Sequence, residues 1–148
     1  MAADSRFKKR SRSERKENVR SERPTDEPEE PKLAFNFKDF DASQSVGQSF
    51  EAWQESGKLA DLMEKLQHLS AWTLTEAIAQ KQVAVYGMFP PRSDFRPPKH
   101  IAPDVRWAVI KGVKGQKGRV AGYVIGHVFY VVFLDQNHRF WLTEKKGT

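Results

Sequence analysis

The feature that most constrains this chain is the segment RVAGYVIGHVFYVVFLD at 119–135. β-Branched and aromatic residues crowd both sides of Gly126 and His127, a composition that fits a pleated sheet. The most apolar stretch, 124–134, is about half the roughly 20 residues that a membrane helix needs, and Gly126 and His127 interrupt it. The segment therefore reads as two strands meeting at Ile125-Gly126-His127 in a tight hairpin or bulge. Such a pair has to be buried against further strands and a covering layer.

The rest of the chain supplies both. LAFNFKDFD alternates apolar and polar positions, with Leu33, Phe35 and Phe37 pointing one way, as in a half-buried strand. Beyond the polar DASQSVGQ, apolar residues at 50, 53, 59, 62, 63, 66 and 69 recur with helical spacing. Gly57 interrupts that pattern; it costs about 1 kcal/mol relative to Ala inside a helix, so a break or bend is expected there. Thr73 and Glu76 stand at the spacing of a capping box and start a short helix expected to reach about Gln82. A short strand at 83–86 precedes a loop stiffened by five prolines between 90 and 103. Loops of that length inside small domains are commonly functional. VRWAVIKG then reads as a strand, VKGQKG as a turn, and RFWLTEK as a short final strand.

The expected fold is α+β: an N-terminal strand, two or three helices, and an antiparallel meander of three to four strands with helices on one face. Phe35, Phe37, Trp53, Leu59, Leu62, Leu66, Trp107, Val124, Phe129, Val131 and Phe133 are the expected core, at roughly 1.5–3 kcal/mol each on burial. With 148 residues there is room for one domain, placed at 33–148. Residues 1–32 read as a disordered charged tail, because ten basic and eight acidic residues there surround only Met1, Phe7 and Val19. FKKRSRSERK in that tail is either an arm that touches an acidic partner or simply a solvated segment.

Charge and composition bound the function. Lys plus Arg exceed Asp plus Glu by 25 to 19, giving a net charge of +6, and there is no cysteine. Disulfides, thiolate metal sites and cysteine nucleophiles are thereby excluded. No apolar segment follows the basic N-terminus, so no secretory signal and no membrane partner is expected, and a cytoplasmic address fits. No cofactor motif occurs, and no His-Glu-x-x-His or Asp-x-Asp pattern suggests a metal.

Two resemblances rest on these residues. FNFKDFD, LQHLSAWTLTEA and RVAGYVIGHVFYVVFLDQNH resemble a group of short bacterial and phage-associated proteins of uncharacterised function, over about residues 33–141. More distantly, the order of strand, helices and meander resembles the RelE/ParE superfamily of small basic toxins. That resemblance implies a toxin-like protein of a toxin–antitoxin or mobile-element system, possessing RNA-cleaving activity in the RelE manner. RNA or the ribosome and a small acidic antitoxin-like protein are the partners it implies. The long proline loop and the N-terminal arm depart from that pattern.

RNA cleavage through the 2′-hydroxyl needs a base, an acid and cations for the charged phosphorane, and no metal. The resemblance and the polar end of the long strand together put forward His138, Arg119 and Tyr130 as catalytic. Between 99 and 119 lie six basic residues and one acidic one. Lys111, Lys114, Lys117 and Arg106, with Trp107 as a base-stacking ring, are the expected nucleic-acid contacts. Each has a plainer reading: the lysines as a solvated hairpin turn, and Asp135, Asn137 and His138 as a turn bonded to its own backbone. The alternative function is a non-enzymatic accessory module that binds nucleic acid or protein.

Overall fold

A computed structural model of the chain describes residues 29–113, 115 and 117–142. The charged segment 1–28, Lys114 and the last six residues lie outside the described residues. The chain divides into two units, Met1–Glu30 and Pro31–Thr148, and the second carries every element that follows.

The elements are β1 (Ala34–Asn36), α1 (Phe50–Glu55), α2 (Lys58–Leu69), α3 (Leu74–Ala79), β2 (Val83–Gly87), β3 (Arg106–Ile110), β4 (Arg119–Ile125) and β5 (Val128–Asp135). They form an α+β fold around one five-stranded sheet in the order β1-β5-β4-β3-β2. β2 to β5 make the antiparallel meander, while β1 runs parallel to β5 at one edge. No helix among the described residues is long and apolar enough to cross a membrane.

Local chemistry accounts for the helix ends. Ser49 caps α1 by accepting the Ala52 N–H at 3.0 Å. Gly57, at φ 79°, separates α1 from α2 in the left-handed region that glycine enters without strain. This is the break the sequence suggests. α2 buries Leu62, Leu66 and Leu69 along one stripe and leaves Met63 exposed. Thr73 and Glu76 form the capping box reciprocally, at 3.0 and 2.9 Å, and fix the start of α3.

The sheet is covered on both faces. The three helices pack on one side, over Ala108, Ile110, Val120, Val124, Phe129, Val131 and Leu134. The proline-rich segment between β2 and β3 packs on the other, where Phe95 and Ile101 are buried and the Phe95 ring stacks on Phe133 at 4.4 Å. This segment is an irregular loop, as expected, but it inserts Phe95 and Ile101 into the core on that face. Strand β5 follows β4 through the two-residue turn Gly126-His127, with Gly126 at φ 60°. Between Ala121 and Gly122 the register slips, and a Cβ at Gly122 would lie 1.9 Å from the Tyr130 carbonyl oxygen. Only glycine fits that crossing.

Three expectations need correcting. Trp107 is 2% exposed, wedged among Phe89, Tyr123, Phe133 and Phe140, so it cannot stack a base. Phe37 is 39% exposed because the strand ends early: Asn36 Oδ1 accepts the Lys38 N–H at 2.8 Å and turns the chain before Phe37 can continue the alternation. The segment from Arg139 is no strand as far as Leu142; it bends so that Phe140 drops into the loop-side core.

Candidate active site

Side chains on a strand alternate faces, so Val109 and the residue two further on, Lys111, point to the loop side of β3. β4 and β5 pair Arg119 with Asp135 at the same end of the sheet. There Tyr86, Lys111, Arg119, Asp135, His138 and Trp141 line a cavity of about 190 Å³, floored by Val109 and Phe140. The Tyr86 and Trp141 rings stack at 3.8 Å, 3° from parallel, and make one wall.

Asp135 is fully buried and anchors the turn that follows β5. Both its oxygens accept the Arg139 N–H at 2.9 Å, and Oδ2 also accepts the Phe140 N–H at 2.8 Å. Burial pushes its carboxyl above the ordinary range, against the pull of those N–H groups and of His138. The turn puts His138 at φ 61°, a left-handed conformation that costs a non-glycine residue roughly 1–2 kcal/mol. Such conformations gather at functional sites. Arg139, beside it, is tied to the proline-rich segment: its guanidinium pairs with Asp94, and its carbonyl accepts the Asp94 N–H at 3.1 Å.

The electrostatics favour an anion. Burial lowers the His138 pKa, Arg119 and Lys111 lower it further, and Asp135 and a hydrogen bond with the Trp141 backbone oppose them. The imidazole is therefore neutral at pH 7 and able to accept a proton. Burial raises the Tyr86 hydroxyl against the influence of Arg119, so it stays protonated. The one carboxylate in the lining, Asp135, is bonded to backbone N–H groups and is outnumbered by the cations of Arg119 and Lys111 in the same cavity.

Of the residues expected from the sequence, His138, Arg119 and Lys111 converge. Tyr130 does not: it pairs with Tyr123, five residues up β5 from Asp135, or roughly 17 Å along the strand. Its ring stacks on Tyr123 at 4.6 Å with Lys38 Nζ 5.6 Å above it. The Tyr123 hydroxyl donates to the buried Asp39, and burial together with that carboxylate holds it above the ordinary phenol range. Arg106 sits at the far end of β3, in register with Val124. Lys117 is exposed in the β3–β4 turn, outside the cavity lining, and Lys114 lies outside the described residues.

Tyr86 and Trp141 were not legible as site residues. Tyr86 is aimed by the register shift between Val85 and Gly87, which leaves no mark in a five-residue strand. Trp141 is aimed by the Asp135 anchor. Among the described residues no group of three or more His, Asp or Glu side chains is placed to hold a metal ion. Comparisons with protein-family models, curated proteins and solved structures gave no match.

Proposed function

We propose that this cavity cleaves single-stranded RNA without a metal, in a small basic toxin-like protein of the RelE type. The observation that carries the reading is a neutral imidazole set beside two cations at one end of the sheet. In this mechanism His138 takes the proton of a 2′-hydroxyl, and that oxygen attacks the adjacent phosphorus. Arg119 and Lys111 stabilise the dianionic phosphorane. As the P–O5′ bond breaks, the leaving oxygen receives the Tyr86 proton; His138 then releases its extra proton to solvent, and solvent reprotonates Tyr86. The products are a 2′,3′-cyclic phosphate and a free 5′-hydroxyl, so atoms and protons balance.

A net charge of +6 suits both RNA and a small acidic neutralising partner in a toxin–antitoxin or mobile-element setting. The test is induced expression in bacterial cells, wild type beside His138→Ala, while total RNA is followed. Growth arrest with RNA loss, relieved by the substitution, supports the reading. Normal growth with intact RNA refutes it and leaves a non-enzymatic binding module as the alternative.

A further inference from the structure

The cavity does not end at Lys111. It shares Lys111 and Arg119 with a hollow of about 280 Å³ that continues to Lys81, Gln82 and Gly112. That hollow shares Gln82 and Gly112 with a third, of about 350 Å³, that reaches Lys65 on α2 and is rimmed by Asp61, Glu64 and His68. Common walls make the three one groove, running from Trp141 across the ends of β2 and β3 to α2.

Two further observations mark the groove as more than a crease. Lys65 bonds the Gln82 side chain, and burial followed by the charge of Arg119 lowers its pKa. Like charges have thus been folded toward one another, which is unfavourable until an anion lies between them. Lys81 and His138, both at φ 61°, are the non-glycine residues with positive φ among the described residues, and they lie at different points of this groove. For Lys81 this is the left-handed position of the turn that ends α3, where its N–H bonds the Ile78 carbonyl and the Gln82 N–H bonds the Ala77 carbonyl, and it sets Lys81 beside the groove.

We infer that the groove is a track for several consecutive nucleotides of single-stranded RNA. One phosphate sits at Arg119 and Lys111, the next ones pass Lys81 and Lys65, and a base stacks against the Tyr86–Trp141 wall. The acidic rim at Asp61 and Glu64 ends the track by repelling further phosphates. Single strands suit it because their bases are free to stack and their backbone can bend along a curved groove. This inference rests on the RNA reading of the same cavity, and it adds how the strand is held: several nucleotides beyond the cleaved one, along Lys81 and Lys65.

The experiment compares the full-length wild type with the double variant Lys65→Met, Lys81→Gly. Glycine at 81 keeps the left-handed backbone, and unfolding curves confirm that both proteins fold. The probes are a fluorescent single-stranded RNA of about ten nucleotides, 2′-O-methylated to block cleavage, and uridine 3′-monophosphate. Losing two phosphate contacts lowers the slope of log affinity against log salt by about 1.4. Binding of the oligonucleotide weakens about tenfold at low salt, and uridine 3′-monophosphate, which fills only the His138 cavity, binds equally to both proteins. An unchanged slope, or an equal loss for the mononucleotide, overturns the track. Cleavage of the same oligonucleotide without its 2′-O-methyl groups, at saturating concentration, is measured in parallel to separate the two readings. If the wild type fails to cleave it while the slope falls as stated, the nuclease reading fails and the track stands. If both proteins cleave it equally while the slope stays unchanged, the nuclease reading stands and the track fails.

Discussion

Replacing Asp135 by Ala tests how the site is held. The carboxylate accepts two backbone N–H groups, from Arg139 at 2.9 Å and from Phe140 at 2.8 Å. Removing it leaves both donors without partners beside a fully buried Phe140. Each stranded donor costs about 1–3 kcal/mol. Allowing for the part-exposed Arg139, the sum is about 2–5 kcal/mol, a large share of the roughly 5–15 kcal/mol that holds a domain together. With a urea slope of about 2 kcal/mol per molar, a loss of about 3 kcal/mol moves the unfolding midpoint down by about 1.5 M. Asp135→Asn keeps one acceptor oxygen and falls between the wild type and Asp135→Ala. RNA cleavage by Asp135→Ala is lost even where the variant is still folded, because His138 is no longer presented to the cavity. A midpoint shift below about 0.5 M, equivalent to less than about 1 kcal/mol, refutes the anchoring role.

Three further outcomes separate core from site. Trp107→Ala removes a large buried ring and costs about 3–5 kcal/mol in denaturant unfolding, while affinity for RNA stays unchanged at temperatures where the variant is folded; weakened affinity there restores Trp107 as a stacking residue. Asp94→Ala breaks a pair whose side chains are 31% and 50% exposed, so stability falls by less than about 1 kcal/mol, and a larger loss in unfolding experiments shows that the pair holds the segment rigidly. For His138, the neutral form is the base, so the cleavage rate rises with pH along a limb centred below 6.5. Lys111→Met removes a cation that lowers this pKa, and the limb moves to higher pH; a shift the other way contradicts the assignment. The same lowered pKa gives the fold a contribution that is fully present above the unfolded value of about 6.5 and is lost as pH falls through the folded value.

What the sequence made legible was local. The Thr73–Glu76 box, the break at Gly57 and the Gly126-His127 turn each depend on residues within a few positions of one another. Lys111, Arg119 and His138 were legible as chemistry because basic and imidazole groups follow strand-forming runs. Long-range register was not. The slip at Ala121/Gly122 and the one at Val85/Gly87 decide which side chains share a face and an end of the sheet; a glycine stands at each, but a glycine alone does not tell how the register moves against the partner strand. That is why Tyr130, a credible catalytic group in the sequence, lies in a separate cluster with Tyr123 and Lys38, while Tyr86 joins the cavity. The proline-rich segment is the irregular loop its composition indicates, but its packing was not legible. Its isolated apolar residues Phe89, Phe95 and Ile101 carry no periodicity, yet they cover Trp107 and the loop-side face of the sheet. Lys65 falls between the apolar positions of α2, and only the approach of α2 to Gln82 and Gly112 brings it to the groove.

The most direct measurement is single-turnover cleavage of a single-stranded RNA by the purified chain and by His138→Ala, with a chelator present and the product ends identified. The account predicts fragments ending in 2′,3′-cyclic phosphate and 5′-hydroxyl, and a rate lower by about 10²–10⁴ in the variant. Uncleaved RNA, or equal rates in the two proteins, contradicts it.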